Sequence, residues 1–502
     1  MRNSRRIASF VALLVVGACS RVPAPAVRPL GPVPVGLAGG VRASNDVVAR
    51  IVDEGLHRSH VNEDLEYLLD VIGPRLTGGA GVQRANEWTR QKFSEYHMDD
   101  AHLEQWTFGI GWERGPTTVR ILAPQRREVL GASWAWSPGT SGPLAGDVVL
   151  MDARNVREFN DRFSGHLAGA WVLVGPPAVV INAAAPPVTH ADSARIDSLR
   201  QAIAPHSDEE RNFFSLRGAY VAREHPAGLI RDGGKQFGLF TMSGSPLAVS
   251  PVPQIVVGND VYSQLARLSK RGEHPRIEAD IHNTFGRDTL KQSNTVAEIR
   301  GSEHPDEVVL LGAHLDSWDL ATGGTDNGTG AIAVLEAARI LGTLGEKPKR
   351  TIRFVLFTGE EEGLLGSDAY VQAHRNELDK FQAVLVLDNG TGRITAMALQ
   401  GHEETRAIWQ SMFQPLQATL GPVDVRSGNK TGTDHLSFIP YGVPSFNYDQ
   451  LTRGYDHTHH SQIDDYDHTV PGDIVQAATI MAANAWQLAE LPELLPRGKR
   501  ER

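Results

Sequence analysis

From about Asn45 to Tyr96, apolar residues recur three and four apart, as at Leu65, Leu68, Leu69 and Ile72. That spacing lines one face of a helix, and Gly73-Pro74 breaks the run. After about Leu130 the texture changes to short β-rich runs, Val148 to Met151 and Trp171 to Val174, continuing to Pro253-Gln254-Ile255-Val256-Val257 with Gly and Pro between. These predict a β-rich insert. Between Ala178 and Glu210 no period is visible among Ala, Pro, Ser and charged residues, which predicts a long surface excursion. From about Asn294 strands and helices alternate. Val308 to Leu311 is predicted as a buried strand, Gly330 to Leu341 as a helix, and Thr351 to Phe357 and Ala383 to Leu387 as further strands. The fold class is therefore α/β, a mostly parallel sheet flanked by helices, in which ligands gather at the carboxyl ends of strands.

Composition narrows the chemistry. The 502 residues, 41% hydrophobic and 22% charged, suit a globular protein of two to three domains. A formal charge of −10 disfavours a nucleic-acid partner. The single cysteine, Cys19, can form neither an internal disulfide nor a thiolate metal site, so any metal must rest on His, Asp and Glu. Arg2, Arg5 and Arg6 precede the apolar run Ile7 to Val16, and Val16-Gly17-Ala18-Cys19 follows. This resembles a bacterial lipoprotein signal, and the run is too short to span a bilayer, which takes about 20 apolar residues. The expectation is export with lipid anchoring on the periplasmic or cell-surface side of a bacterial membrane, the anchor being the only membrane contact. Cleavage before Cys19 removes three arginines and no acids, taking −10 to −13. The Pro/Gly-rich stretch that follows reads as a tether.

Polar residues fall just after the predicted strands. His314-Leu315-Asp316-Ser317-Trp318-Asp319 follows the first, and Gly323-Gly324-Thr325-Asp326-Asn327-Gly328 opens the helix. Gly359-Glu360-Glu361-Glu362-Gly363 follows the second strand and Asp388-Asn389-Gly390 the third; Asp456-His457-Thr458-His459-His460-Ser461, then Asp464, lies near the C-terminus. Each has an ordinary reading: Asp326 as a helix cap, the glutamates as a solvated helix start, Asp388-Asn389-Gly390 as a turn. Together they place several carboxylates on one rim, where burial demands pairing or a cation. Two His and three carboxylates suit zinc, or less specifically manganese or cobalt, and suffice for two ions sharing a carboxylate, with a further carboxylate as general base. No H-E-x-x-H or G-x-S-x-G is present, and a thiol protease is excluded.

HLDSWD, GGTDNGTG with its Asp326 twelve residues after His314, EEEGLLGS, a strand-end Asp and HHSQID together resemble the carboxypeptidase branch of the co-catalytic zinc exopeptidases. Gly73-Pro74-Arg75-Leu76, Trp112-Glu113-Arg114-Gly115, Ser293 to Ile299 and Leu494-Leu495-Pro496-Arg497 extend the resemblance. It implies a catalytic zinc-peptidase domain over 44–129 and 286–502 with a protease-associated-like insert at 130–285, behind a signal peptide at 1–18 and a lipidated tether at 19–43. It implies two Zn2+, with His314 and Asp388 on one, Glu361 and His460 on the other, and Asp326 bridging. Glu360 is the implied general base, and Asp316 the carboxylate that orients His314. The Gly363-Leu364-Leu365-Gly366-Ser367 that follows selects Glu360 and Glu361 from the triplet, and His-Ser-x-x-Asp selects His460 over His459 and His457. The peptide after Asp326 is expected to be cis. The implied activity is metal-assisted hydrolysis of dipeptides or short peptides, with peptides as partners and a homodimer suggested. Competing readings are an aminopeptidase of broader specificity, a glutaminyl cyclase or aminoacylase on the same scaffold, and a non-catalytic binding ectodomain.

Overall fold

In strand His304–His314, Val309, Leu311 and Ala313 enter one apolar core while Val308 and Leu310 enter another. A strand buried on both faces cannot alternate apolar with polar residues, which is why this run reads as continuously hydrophobic. The same division holds in the neighbouring strands Arg350–Phe357 and Phe381–Val386. The computed structural model describes residues 40–180 and 190–499. The arginine-rich start, the Cys19 motif and residues 21–39 of the predicted tether lie outside them, and a helix, Gly40–His57, already begins within the predicted tether. Among the described residues no helix is long and apolar enough to cross a membrane.

The strands, in chain order, are β1 (Asp99–Glu113), β2 (Thr117–Ala123), β3 (Arg127–Val129), β4 (Gly131–Ser133), β5 (Leu144–Met151), β6 (Trp171–Val174), β7 (Gly228–Asp232) and β8 (Gln254–Val257). They continue as β9 (Arg276–Ile281), β10 (Thr284–Ile299), β11 (His304–His314), β12 (Arg350–Phe357), β13 (Phe381–Val386), β14 (Ile394–Ala398), β15 (Asp424–Arg426) and β16 (Ser445–Gln450). They form two sheets. The first has the order β1-β10-β12-β11-β13-β16-β14-β15. Its four central strands, β12-β11-β13-β16, are parallel; β1, β10 and β12 pair antiparallel on one side, and on the other β14 is antiparallel to β16 and parallel to the edge strand β15. Helices Thr329–Leu344 and Pro471–Ala489 bury long apolar faces on one side, and Tyr370, Val371 and Phe438 cover the other.

The second sheet runs β3-β2-β9-β5-β6-β7-β8-β4. It starts at Thr117 rather than near residue 130, because β2 pairs with β9 and β3 with β2. Nothing in the alternation of Thr117–Ala123 says which sheet it joins; that is decided by β9, more than 150 residues away in sequence. Helix Asn259–Lys270 packs one face through Val261, Tyr262 and Leu265. On the other face lies helix Asp208–Ala222, which anchors Phe213 and Val221 and takes a side-chain cap from Ser207. The predicted excursion is thus partly helical, with a further helix at His190–Ile203. The two sheets meet at an aromatic cluster of Trp106, Phe108, Trp112, Trp136, Phe240 and Trp318. Beside it Arg114 grips the Asp319 carboxylate through Nε at 2.9 Å and Nη2 at 2.7 Å.

Candidate active site

Parallel register brings the strand ends level: His314 pairs with Phe357, Gly312 with both Val355 and Val386, and Val386 with Asn447. The loops leaving β11, β12, β13 and β16 therefore open on one rim. His314, fully buried, points Nε2 to within 3.3 Å of Asp326 Oδ1, 3.6 Å of Asp388 Oδ1 and 4.0 Å of Glu360 Oε2. From the other side His460 Nε2 lies 3.2 Å from Asp326 Oδ2 and 2.9 Å from Glu361 Oε2. His459 stacks on His460, and its Nε2 is 3.7 Å from the same Asp326 oxygen. The His459 and His460 side chains are 42% and 21% exposed while His314 is at 1%, so the rim opens on the histidine-loop side.

Asp326 is presented by the glycine-rich turn. Gly323 adopts φ +64°, and at Gly330 a Cβ would lie 2.2 Å from Asn327 Oδ1 and 2.4 Å from the Leu387 carbonyl, so only glycine lets the helix start this close. The Asp326-Asn327 peptide is cis. Asp464 fixes the turn: its carboxylate accepts from Thr325 N (2.6 Å), Thr325 Oγ1 (2.7 Å) and Asp326 N (3.0 Å). Asp316 differs in detail from expectation. Its backbone carbonyl, at 3.1 Å, is nearer His314 Nδ1 than its carboxylate, at 3.6 Å. The carboxylate instead accepts from Thr77 Oγ1 (2.9 Å) and Glu361 N (3.3 Å), tying the glutamate loop to β11.

Charge is concentrated here. Burial alone would push the His314 and His460 imidazoles down. Asp388 and Glu360 hold His314 well above its ordinary range, and Glu361 with Asp326 holds His460 up at about 10. Burial pushes Asp326 up, but its two histidine partners hold it well below the usual carboxylate range. Glu360 stands well above that range, through burial and the charges of Asp388 and Glu361. Glu361 and Asp464 are pushed up to about 7, chiefly by burial and then by Asp326.

Several participants escaped sequence reasoning. Arg75, inside a quoted motif but given no role, is fully buried and donates to the carbonyls of Leu315 (2.6 Å), Thr322 (2.6 Å) and Gly323 (2.8 Å), splinting the turn that carries Asp326. Its guanidinium is pulled down to about 10 by burial and so stays charged at neutral pH. Asp434, pushed up to about 7 by burial, and Glu362, the third glutamate, are buried near the site with both carboxylate oxygens free of hydrogen bonds. Glu362 belongs to the triplet but not to the pair selected from it, and Asp434, far off in sequence, carries no periodic signal.

His314 Nε2, Asp326 Oδ2 and Glu361 Oε1 are buried with no hydrogen-bond partner. Orphaned imidazole and carboxylate atoms facing each other at these distances, with no thiolate, are the donor set of a hard or borderline divalent cation. His314, Asp326 and Asp388 form one group with ligating atoms within 4.8 Å of one another, and Asp326, His459 and His460 form a second. Residues 294–485, which supply every one of these donors, match the model of peptidase family M28. The chain is 29% identical to carboxypeptidase Q of Mus musculus over 90% of its own length and 91% of that protein's. In fold it is similar to a peptidase M28 precursor from Shewanella amazonensis, with a TM-score of 0.74 and 24% identity over 91% of this chain and 100% of that one. The zinc aminopeptidase BSAP from Bacillus subtilis gives a TM-score of 0.58 at 17% identity, over 84% and 93% of the two chains. The M28 match begins at Asn294 and leaves the second sheet outside it.

Proposed function

We propose that the chain is a two-zinc exopeptidase that hydrolyses dipeptides or short peptides. One observation carries this reading. A single buried carboxylate, Asp326, faces a histidine with each of its oxygens, His314 at 3.3 Å and His460 at 3.2 Å, and each histidine has its own second carboxylate, Asp388 or Glu361. His314 and Asp388 would hold one ion, Glu361 and His460 the other, and Asp326 both. Bound there, the pair would supply Lewis-acid polarisation of the scissile carbonyl and a nucleophile available near neutral pH.

The protein's own groups do the rest. Glu360 sits at the edge of the donor set, 4.0 Å from His314 Nε2 and beyond the closer Asp326 and Asp388 contacts, which suits a base that takes a proton and returns it to the leaving amine. Its raised affinity for protons fits that task. Asp464, Thr77 and Arg75 position the turn and the glutamate loop. The second sheet reads as a protease-associated-like insert whose edge walls the rim, and the Arg2 to Cys19 pattern as lipid-anchored export. The exopeptidase reading draws on the carboxypeptidase Q and zinc aminopeptidase relatives. Purified zinc-loaded protein should be offered free dipeptides, N-blocked peptides and C-amidated peptides in parallel. Hydrolysis of free dipeptides is expected; cleavage of N-blocked substrates overturns a requirement for a free N-terminus, and cleavage of none overturns the proposal.

A further inference from the structure

The second sheet reaches into the site with one segment. After β7 the chain turns back on itself, Thr241 N donating to the Gly233 carbonyl at 2.9 Å. The returning arm lies on the histidine loop: Met242 N donates to the His460 carbonyl at 2.8 Å, Gln462 Nε2 to the Gly238 carbonyl at 3.0 Å, and Phe240 N to Gln462 Oε1 at 3.1 Å. At the tip of this arm is Lys235, half-buried, whose ammonium donates to the Asp456 carbonyl.

That position matters because of what surrounds it. Around the two histidines the rim carries carboxylates, Asp326, Glu360, Glu361 and Asp388, with Asp464 behind them. Two zinc ions would offset four of these charges but would be engaged at the scissile carbonyl, so a free carboxylate at the substrate's far end calls for a cation of its own. Arg75 cannot serve: it is fully buried and its N–H groups go to backbone carbonyls on the closed side of the turn. An ammonium has three donors, and Lys235 commits one to Asp456. Asp456 opens the loop that carries His459, the more exposed histidine of the opening, so the ammonium is held on the loop that borders the entrance.

We propose that Lys235 is a specificity-determining residue that receives the free α-carboxylate of the substrate, so that the enzyme selects free dipeptides over their C-terminal amides. The inference rests on the exopeptidase reading above and adds to it the chain end that is recognised. The second sheet thereby contributes directly to substrate choice, although none of the metal donors comes from it.

The test pairs kinetics with binding. Zinc-loaded wild type, Lys235→Ala and Lys235→Arg are compared on one dipeptide and its C-terminal amide. Lys235→Ala should raise KM for the free dipeptide about tenfold, the scale of one charge-assisted hydrogen bond, with kcat within about twofold and the amide unaffected. Lys235→Arg should restore most of the loss. Equal losses on acid and amide mean that Lys235 only straps the arm to the histidine loop, and unchanged KM means that it makes no contact; either result overturns the proposal. Calorimetric binding of the same two peptides to zinc-loaded Glu360→Gln protein, with and without Lys235→Ala, decides the carboxylate contact even if turnover is absent. A tenfold loss confined to the free acid supports the proposal, and equal affinities overturn it. Failure of wild type to hydrolyse any peptide falls on the exopeptidase reading alone.

Discussion

Loading the site with zinc should expel protons, and their number can be worked from the geometry. In the metal-free protein the imidazoliums of His314 and His460 are what compensate the clustered carboxylates. His460 is held at about 10 and so carries a proton at pH 7.5, and Asp388 and Glu360 raise His314 in the same direction. A ligating imidazole must be neutral, so binding two ions should release about two protons, with a further fraction from Glu361, which titrates at about 7. Two protons make the combined association constant rise about a hundredfold per pH unit, or ~2.7 kcal/mol at ~1.36 kcal/mol for each.

The metal-free protein should show the opposite trend. Raised histidines contribute stability that is complete below their unfolded value and is lost as pH climbs, for His460 through about 10. Raised carboxylates act in the same direction: Glu361, Asp434 and Asp464 remain protonated in the fold up to about 7, so the cost of burying their charge accumulates between the ordinary carboxylate range and 7. Zinc titration by calorimetry in two buffers of different ionisation enthalpy counts the protons, and thermal unfolding from pH 5.5 to 8.5, with and without zinc, reads the stability. Release of fewer than one proton, or a zinc-induced gain in Tm that does not grow with pH, would refute the reasoning.

Further tests separate the roles. Glu360→Gln should keep its metal by elemental analysis and lower kcat by roughly 10²- to 10⁴-fold; near-normal turnover sinks the base assignment. His460→Ala should lose bound zinc while His459→Ala keeps both ions, and the reverse pattern would exchange the two residues. Asp464→Ala leaves two N–H groups, those of Thr325 and Asp326, without an acceptor, while the Thr325 hydroxyl keeps Thr458 Oγ1 as a partner. At about 1–3 kcal/mol for each unmet buried group, unfolding by urea should show a loss of about 2 kcal/mol or more, and an unchanged midpoint contradicts the splint.

What could be read from sequence follows from range. Val308 to Leu311 and Thr351 to Phe357 announce themselves because both faces of each strand are buried, and the polar residues that follow stand out against them. His314, Asp326, Glu360, Glu361 and Asp388 each lie within a few residues of such a strand end or of the helix it feeds. Arg75 and Thr77 act across the fold, each on a partner some 240 residues away, and local pattern carries no trace of such contacts. The boundary of the second sheet was misplaced for the same reason, since the partner of β2 is β9. The helix Asp208–Ala222 hid because its apolar contacts are few, chiefly Phe213 and Val221; the Ser207 and Glu210 pair at its start is a capping pattern that could have revealed it.

The hydrogen bond from Met242 N to the His460 carbonyl joins a metal-donor loop to a sheet that supplies no donor. Loop and arm are therefore tied together, and Trp318, which meets both Trp136 and His460, links the aromatic junction of the two sheets to the same loop. In that sense zinc would serve as a rivet as well as a reagent, and its loss would be felt first as play between the two halves of the molecule.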